Sequence, residues 1–230
     1  MTFFEPTDMR KAHTPFDLPT NLVEQIKFIS PNIHELNAIA QCLQYDGEYP
    51  VPGVDCDSTD AKLFNDLKNV TKFVNEKIEN VIVTLGPMGI MMARRNDATS
   101  AIYDKEGRYI PRMRASECEI RLYETMRMKE IVNVSGAGDS FASGFIVAMI
   151  QGLPENVSVS VGFEASKCAL MSSSPVPIID HASKANGRPG ENIAVGVANN
   201  TPHTTITREN TWKVVINTLL RTIPIAAWMI

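Results

Sequence analysis

The 230-residue sequence lacks the marks of several common protein classes, and each absence narrows the range of functions. It has only four cysteines, at positions 42, 56, 118 and 168, with no CxxC pair and no accompanying histidine pattern for zinc. This spacing predicts reduced thiols in a cytoplasmic protein. The first residues have no basic segment and carry an acid at Glu5, so they do not form a signal peptide.

Basic charge and long apolar runs are also scarce. The formal net charge is −4 and no basic excess is present, which argues against a nucleic-acid partner. The one membrane-like stretch, residues 212–230, contains Lys213, Arg221 and Pro224, whereas a spanning helix needs about 20 mostly apolar residues. We therefore expect no membrane partner, and a tail that is exposed or docked on the surface.

Alternating strand and helix patterns predict an α/β protein with a mostly parallel sheet. Apolar segments that end at Pro or Gly predict buried strands at 2–4, 27–30 and 81–85. Apolar residues at helical spacing predict helices over 36–43, 63–78, 140–151 and 157–171. Shorter strands are predicted at 90–95, 101–104, 108–113 and 130–134. From residue 181 the chain reads largely as loop or disorder, which predicts a domain over 1–180 and a tail over 181–230.

A glycine turn, Gly136-Ala137-Gly138-Asp139, stands between the predicted strand at 130–134 and an apolar helix. The start of a helix has free N–H groups and a partial positive charge, and glycines allow an anion to approach the backbone. A carboxylate in the same turn could take the proton of an attacking hydroxyl. The turn therefore indicates phosphoryl transfer, with a plain helix start that carries an acid in its first turn as the structural alternative.

Two other phosphate-binding motifs do not fit this turn. No lysine follows the glycines, as a P-loop requires, and Phe141 stands where a dinucleotide fingerprint needs its third glycine.

Three segments together resemble the PfkB carbohydrate kinase family, whose members are ribokinase-like. Residues 134–145, VSGAGDSFASGF, resemble the family's C-terminal DTxGAGD signature and its helix. Residues 30–36, SPNIHEL, look like the NxxE segment, and residues 83–89, VTLGPMG, look like the TxGxxG nucleotide-binding segment. Each motif alone is weak, but the three occur in family order over about residues 1–180.

The resemblance implies a role for each motif residue. Asp139 would be the catalytic base, and the backbone of Gly136, Ala137 and Gly138 would form the anion hole. Asn32 and Glu35 would act on Mg²⁺ through water, and ATP would be held by Thr84, Gly86 and Gly89. A helix N-cap at Asn32 and a hairpin turn at Gly86 and Gly89 are structural alternatives compatible with these roles. The family often has Asp and Thr ahead of the turn; Asn133 and Ser135 here put a monovalent-cation site in doubt.

The resemblance also implies a fold and an activity. The fold would be a Rossmann-type three-layer α/β/α arrangement whose N-terminal half, with most of the substrate site, is missing from this chain. The activity would be ATP-dependent phosphorylation of a sugar or nucleoside hydroxyl. Pseudouridine is favoured because the opening residues FFEPTDMR look closest to pseudouridine kinases, including those fused to a pseudouridine-5'-phosphate glycosidase. The alternatives are a truncated, non-catalytic kinase fragment and a nucleotide-binding module.

Overall fold

The computed structural model describes residues 2–52, 61–111, 117–125, 128 and 130–173. These residues form two compact units, the first from 2–52, 61–100, 111 and 117–125, the second from 101–110, 128 and 130–173. No helix of the described part is long and apolar enough to cross a membrane.

The first unit is built on a five-stranded mixed sheet. Its strands are β1 (Thr2–Phe4), β2 (Ile26–Ile29), β3 (Asn80–Thr84), β4 (Ile90–Arg94) and β5 (Glu119–Tyr123), and they lie in chain order. The β1–β2 and β2–β3 pairs are parallel, and the β3–β4 and β4–β5 pairs are antiparallel. The parallel pairs bring the residues that follow β1, β2 and β3 to one edge of the sheet, where open α/β folds bind their ligands.

Three helices accompany the sheet in this unit: α1 (Thr20–Val23), α2 (Ile33–Cys42) and α3 (Ala61–Asn75). The apolar stripe of α3 is fully buried, because Leu67, Val70 and Val74 have no exposed surface. These side chains share one core with β-branched residues of β3, among them Val81 and Val83. Buried apolar area of this kind stabilises the sheet from one face.

The second unit consists chiefly of α4 (Ala137–Ile150) and α5 (Glu155–Leu170). The two helices approach closely at two glycines. A Cβ on Gly144 would lie 2.9 Å from the Cβ of Ala165, and one on Gly162 would lie 2.7 Å from the ring of Phe141. The absence of side chains at these positions therefore sets the spacing of the pair.

Most predicted elements are confirmed, and the exceptions have physical causes. The predicted strand at 130–134 is wrong: the N–H groups of Val132 and Asn133 donate to the carbonyl oxygen of Leu170, at 2.9 and 3.3 Å, instead of to a neighbouring strand. The strands predicted at 101–104 and 108–113 form only isolated bridges, of Tyr103 with Tyr109 and of Ala101 with Pro154, and residues 112 and 113 lie outside the described part. Strand β5 was not predicted, although residues 119–123 do alternate in polarity.

Candidate active site

The NxxE segment forms the start of α2 and follows β2 directly. The side chain of Asn32 accepts a hydrogen bond from the Glu35 N–H at 3.0 Å, and the Asn32 N–H donates to Glu35 Oε2 at 2.8 Å. This reciprocal capping box satisfies two N–H groups at the helix start. Asn32 is therefore the N-cap that the structural alternative predicted, and the same contacts hold the Glu35 carboxylate in place.

The TxGxxG segment lies beside the NxxE segment in the first unit. The Thr84 N–H donates to the carbonyl oxygen of Pro31 at 2.9 Å, and a parallel bridge pairs Thr84 with Asn32. The structure thus brings these two motifs together at the ends of β2 and β3. The hydrogen bonds join backbone to backbone, so the strand ends, and not chance side-chain contacts, set this arrangement.

Gly86 and Gly89 form the tight turn of the β3–β4 hairpin. Gly89 has φ of 101°, and a Cβ there would overlap the carbonyl oxygen of Tyr123. Gly86 also has a positive φ, 59°, but the space around it is open. The hairpin alternative is confirmed, and Gly89 in particular is required by the fold itself.

The electrostatics around Glu35 bear on cation binding. Burial raises the pKa of Glu35, the Asn32 N–H opposes this shift, and the charge of Asp8 adds to it. A hydrogen-bonded Arg10 in turn lowers the pKa of Asp8 to about 2, so Asp8 is ionised near Glu35 at neutral pH. Glu35 Oε1 has no hydrogen-bond partner among the described residues.

These residues fit a Mg²⁺ ion that is held mainly by phosphates and water. Mg²⁺ prefers oxygen ligands and is commonly bound through one or two carboxylates plus substrate phosphates. No cluster of three metal-binding side chains occurs in the part of the chain that the structure describes. Asn32 and Glu35 would supply the oxygens, and the unpaired Oε1 of Glu35 suits a contact through a metal-bound water.

A groove of about 440 Å³ runs along α2 from the same motif. Its lining comes from the chain after β1, from one face of α2 and from the loop after α2: Met9, Arg10, His34, Asn37, Ala38, Gln41 and Tyr49. His34 lies inside the NxxE segment, so the groove opens next to Glu35. Sequence reasoning missed it because its two walls are more than 20 residues apart in the chain.

The Gly-Ala-Gly-Asp turn lies in the second unit, at the start of α4. Gly136 is the N-cap with φ of 78°, a left-handed conformation that favours glycine. The first-turn N–H groups of a helix have no acceptor within the helix, and Ala137 makes only a long contact of 3.4 Å to the Val134 carbonyl oxygen. The Gly138 and Asp139 amides thus meet solvent at the positive end of a 14-residue helix.

The Asp139 side chain is exposed and has no hydrogen bond or ion pair within the described residues; only its carbonyl oxygen is engaged, by the Ser143 hydroxyl at 2.7 Å. Nothing in the second unit needs this carboxylate for packing. The two halves of the predicted site therefore belong to separate units. The first unit contains Asn32, Glu35, Thr84, Gly86 and Gly89, and the second contains the turn at residues 136–139.

Comparison with known proteins identifies the family of the chain. The family model described as pfkB family carbohydrate kinase matches residues 8–181. A search of curated proteins finds no match.

Solved structures show the same fold at low sequence identity. A probable sugar kinase from Rhizobium etli has 17% sequence identity and a TM-score of 0.50, and the match covers 76% of this chain and 41% of the sugar kinase chain. Adenosine kinase from Sinorhizobium meliloti has 14% sequence identity and a TM-score of 0.51, and the match covers 77% of this chain and 41% of the adenosine kinase chain. Ribokinase from Cryptococcus neoformans in complex with ADP has 16% sequence identity and a TM-score of 0.50, and the match covers 76% of this chain and 49% of the ribokinase chain. The chain therefore has a ribokinase-like fold and spans less than half the length of these structures.

Proposed function

The chain belongs to the PfkB family of carbohydrate kinases, and from this we propose that it carries the phosphoryl-transfer half of an ATP-dependent sugar or nucleoside kinase. One observation supports this most: the first-turn amides of α4 stand beside Asp139, an exposed carboxylate with no hydrogen bond or ion pair among the described residues. An anion-binding helix start and an adjacent base are the two parts that transfer to an alcohol needs.

The proposed reaction transfers the γ-phosphoryl group of ATP from the β,γ-bridging oxygen to the oxygen of the substrate hydroxyl. Asp139 accepts the proton of the substrate hydroxyl as its oxygen attacks the γ-phosphorus of ATP. The bond from that phosphorus to the β,γ-bridging oxygen breaks, and ADP leaves with the electron pair. The amides of Ala137, Gly138 and Asp139, together with the Gly136 turn, stabilise the charge on the transferring group, which is the main task of a phosphoryl-transfer enzyme.

The other motif residues would hold the nucleotide. Thr84 and the hairpin turn at Gly86 and Gly89 would line its phosphates or ribose, and Asn32 and Glu35 would contact the Mg²⁺ shell through water. Magnesium would neutralise phosphate charge when bound. The capping box supports this role, since it orients Glu35 while one oxygen stays open.

Pseudouridine is our favoured substrate, on the residues FFEPTDMR that open the chain. We further propose a cytoplasmic location and either fusion to, or association with, a pseudouridine-5'-phosphate glycosidase. The similar structures are a probable sugar kinase, an adenosine kinase and a ribokinase, which supports a small sugar-containing acceptor without choosing one.

A second candidate function is a nucleotide-binding module without catalysis. It is favoured by one observation: the chain spans 41–49% of the length of the three similar structures. In that case the first unit would bind ATP while no acceptor hydroxyl would be brought to Asp139.

The test measures ATP binding and ADP formation separately on the purified chain with Mg²⁺ and ribose, adenosine or pseudouridine. A kinase forms ADP with an acceptor, and Asp139→Asn lowers the turnover by about 10²- to 10⁴-fold with unchanged ATP affinity. The control is Asp46→Asn, an exposed carboxylate in a loop of the first unit. ATP binding without ADP formation would support the nucleotide-binding module. A small effect of Asp139→Asn on turnover would refute Asp139 as the base. Absence of ATP binding would contradict both functions.

A further inference from the structure

The segment just before the turn at residues 136–139 is anchored to the end of α5. The N–H groups of Val132 and Asn133 donate to the carbonyl oxygen of Leu170, at 2.9 and 3.3 Å. Leu170 is the last residue of α5, and α5 packs closely on α4 where Gly144 and Gly162 leave room. The end of one helix therefore fixes the segment that leads into the start of the other.

The side chain of Asn133 turns inward, whereas its two apolar neighbours face solvent. Asn133 is half-buried, while Val132 and Val134 are 63% and 72% exposed. The Oδ1 of Asn133 accepts a hydrogen bond from the Ser135 N–H at 2.9 Å. This contact is an Asx turn, in which a side-chain oxygen replaces a backbone carbonyl. Polar side chains are usually more exposed than valine, so the hydrogen bond, and not apolar burial, accounts for this conformation.

The residue that Asn133 engages is the second residue of the turn that places Gly136. The Ala137 N–H approaches the Val134 carbonyl oxygen at 3.4 Å, and Gly136 has φ of 78° and ψ of 2°. These angles are those of the third position in a type II turn. Ser135 has a negative φ, as the second position requires. The Asn133 hydrogen bond thus fixes the backbone one residue before the glycine that begins α4.

We propose that Asn133 is a positioning residue for the turn at residues 136–139, which we call the anion turn. Asn133 would not touch the substrate; it would hold Ser135, and through it the direction of the Gly138 and Asp139 amides. This inference rests on the proposed function, in which those amides face the transferring phosphoryl group. Amides that are fixed in advance stabilise charge at no cost of reorganisation, so a loosened turn should bind and transfer an anion less well.

Inorganic phosphate is the probe, and the NMR signals of the anion-turn amides report its binding without any catalysis. Asn133→Ala should weaken phosphate binding roughly 3- to 10-fold, the effect of one hydrogen bond, and should speed hydrogen exchange of the Ser135 amide. Asn133→Ser should restore part of the affinity, because a hydroxyl forms the same kind of turn more weakly. Circular dichroism checks that each variant folds.

The matched control is Asn156→Ala, the same substitution in the same unit. The Oδ1 of Asn156 also accepts a backbone hydrogen bond, from the Val157 N–H at 2.9 Å, but at the start of α5, the opposite end from Leu170. This variant should bind phosphate as tightly as the unaltered chain.

Ser135→Pro separates positioning from a general loss of structure. Proline removes the N–H that Asn133 engages, but it holds φ near the value that the second position of a type II turn requires. This variant should bind phosphate about as tightly as the unaltered chain, and the addition of Asn133→Ala should weaken binding no further. Where the unaltered chain forms ADP, Asn133→Ala should lower kcat about 10- to 100-fold with little change in KM for ATP, because the proposed nucleotide contacts belong to the first unit.

The outcomes distinguish this inference from the proposed function. If phosphate binds equally to the unaltered chain and to Asn133→Ala, the positioning role is wrong and the proposed function stands. Equal losses in Asn133→Ala and Asn156→Ala, or a further loss when Asn133→Ala is added to Ser135→Pro, would also overturn the role. Loss of binding in Ser135→Pro alone would contradict the type II turn. Absence of any phosphate response in the unaltered chain would contradict both the anion turn and this inference.

Discussion

The two motif regions of this protein differ in how strongly the fold itself needs them. In the first unit, Asn32 and Glu35 cap a helix and Gly89 turns a hairpin where no other residue fits. In the second unit, Gly136 is needed for its backbone conformation, but the Asp139 carboxylate is exposed and unpaired among the described residues.

This difference decides what each motif can prove. A motif residue with a structural task is explained by the fold, whether or not the chain is active. Asp139 has no packing task among the described residues, but an acid in the first turn of α4 also interacts favourably with the positive end of the helix. The segments around residues 32–35 and 84–89 are therefore indicators of fold, and the role of Asp139 depends on the activity test.

The largest effect on folding should come from Gly89→Ala. The new Cβ would overlap the Tyr123 carbonyl oxygen, and φ of 101° is unfavourable for alanine, so we expect a loss of at least about 3 kcal/mol in the free energy of unfolding. Gly86→Ala is the control. Gly86 also has a positive φ, but the space around it is open, so this substitution should lower the free energy of unfolding by only about 1–2 kcal/mol. Chemical denaturation of both variants measures the difference, and equal losses would contradict the steric explanation.

Gly162→Ala should have the next largest effect and shows where the second unit is constrained. A Cβ 2.7 Å from the Phe141 ring forces α4 and α5 apart, and overpacking of this kind costs about 2 kcal/mol. Cys168→Ala, on an exposed position of α5, should change stability by no more than about 0.5 kcal/mol. If thermal unfolding finds the two variants alike, close helix packing is not what holds this unit together.

Asn32→Ala should cost about 1 kcal/mol because it removes the N-cap of α2. Asn32→Ser retains a capping oxygen and should be nearly as stable as the unaltered chain, but its shorter side chain should weaken binding of Mg²⁺ and ATP. Denaturation and calorimetric titration on the same samples separate the two roles. Should both variants bind ATP normally, Asn32 would be a cap and nothing more.

The smallest effect is a pH dependence at Glu35. Its pKa is raised by burial, so the folded state holds the proton more tightly than the unfolded state, whose ordinary pKa is 4.5. Stability from this group should therefore fall as pH rises from 4.5 through the raised pKa, while binding of Mg²⁺ should increase over the same window as the carboxylate ionises.

Glu35→Gln tests this, because glutamine also completes a capping box. The variant should lose this part of the pH dependence of unfolding and bind Mg²⁺ with ATP more weakly at every pH. An unchanged pH profile of stability would show that Glu35 titrates like a free carboxylate.

Sequence patterns predicted much of the fold because the residues that form its core are local and periodic. Helices α3, α4 and α5 and strands β1 to β4 follow directly from apolar spacing and from Pro and Gly at element ends. Strand β5 was missed although Glu119 and Arg121 alternate with apolar residues, as a strand pattern predicts. The strand at 130–134 was wrongly predicted, since three apolar residues there are exposed and their segment pairs with the end of α5.

The candidate site was predictable in its members but not in its geometry. The motif residues could be named because three segments resemble those of the PfkB family and occur in the family's order. The groove beside α2 could not be predicted, because Arg10 and Gln41 meet only after β1 and β2 pair.

The sequence by itself determined the family, the order of the motifs and the chemistry available to each, because these depend on residue type and spacing along the chain. Only the tertiary structure decided that Asn32 and Thr84 are bridged, that Gly89 is enclosed by Tyr123, and that valines near the anion turn are exposed. Contacts between residues far apart in the chain depend on how strands pair and helices pack, and no local pattern encodes them.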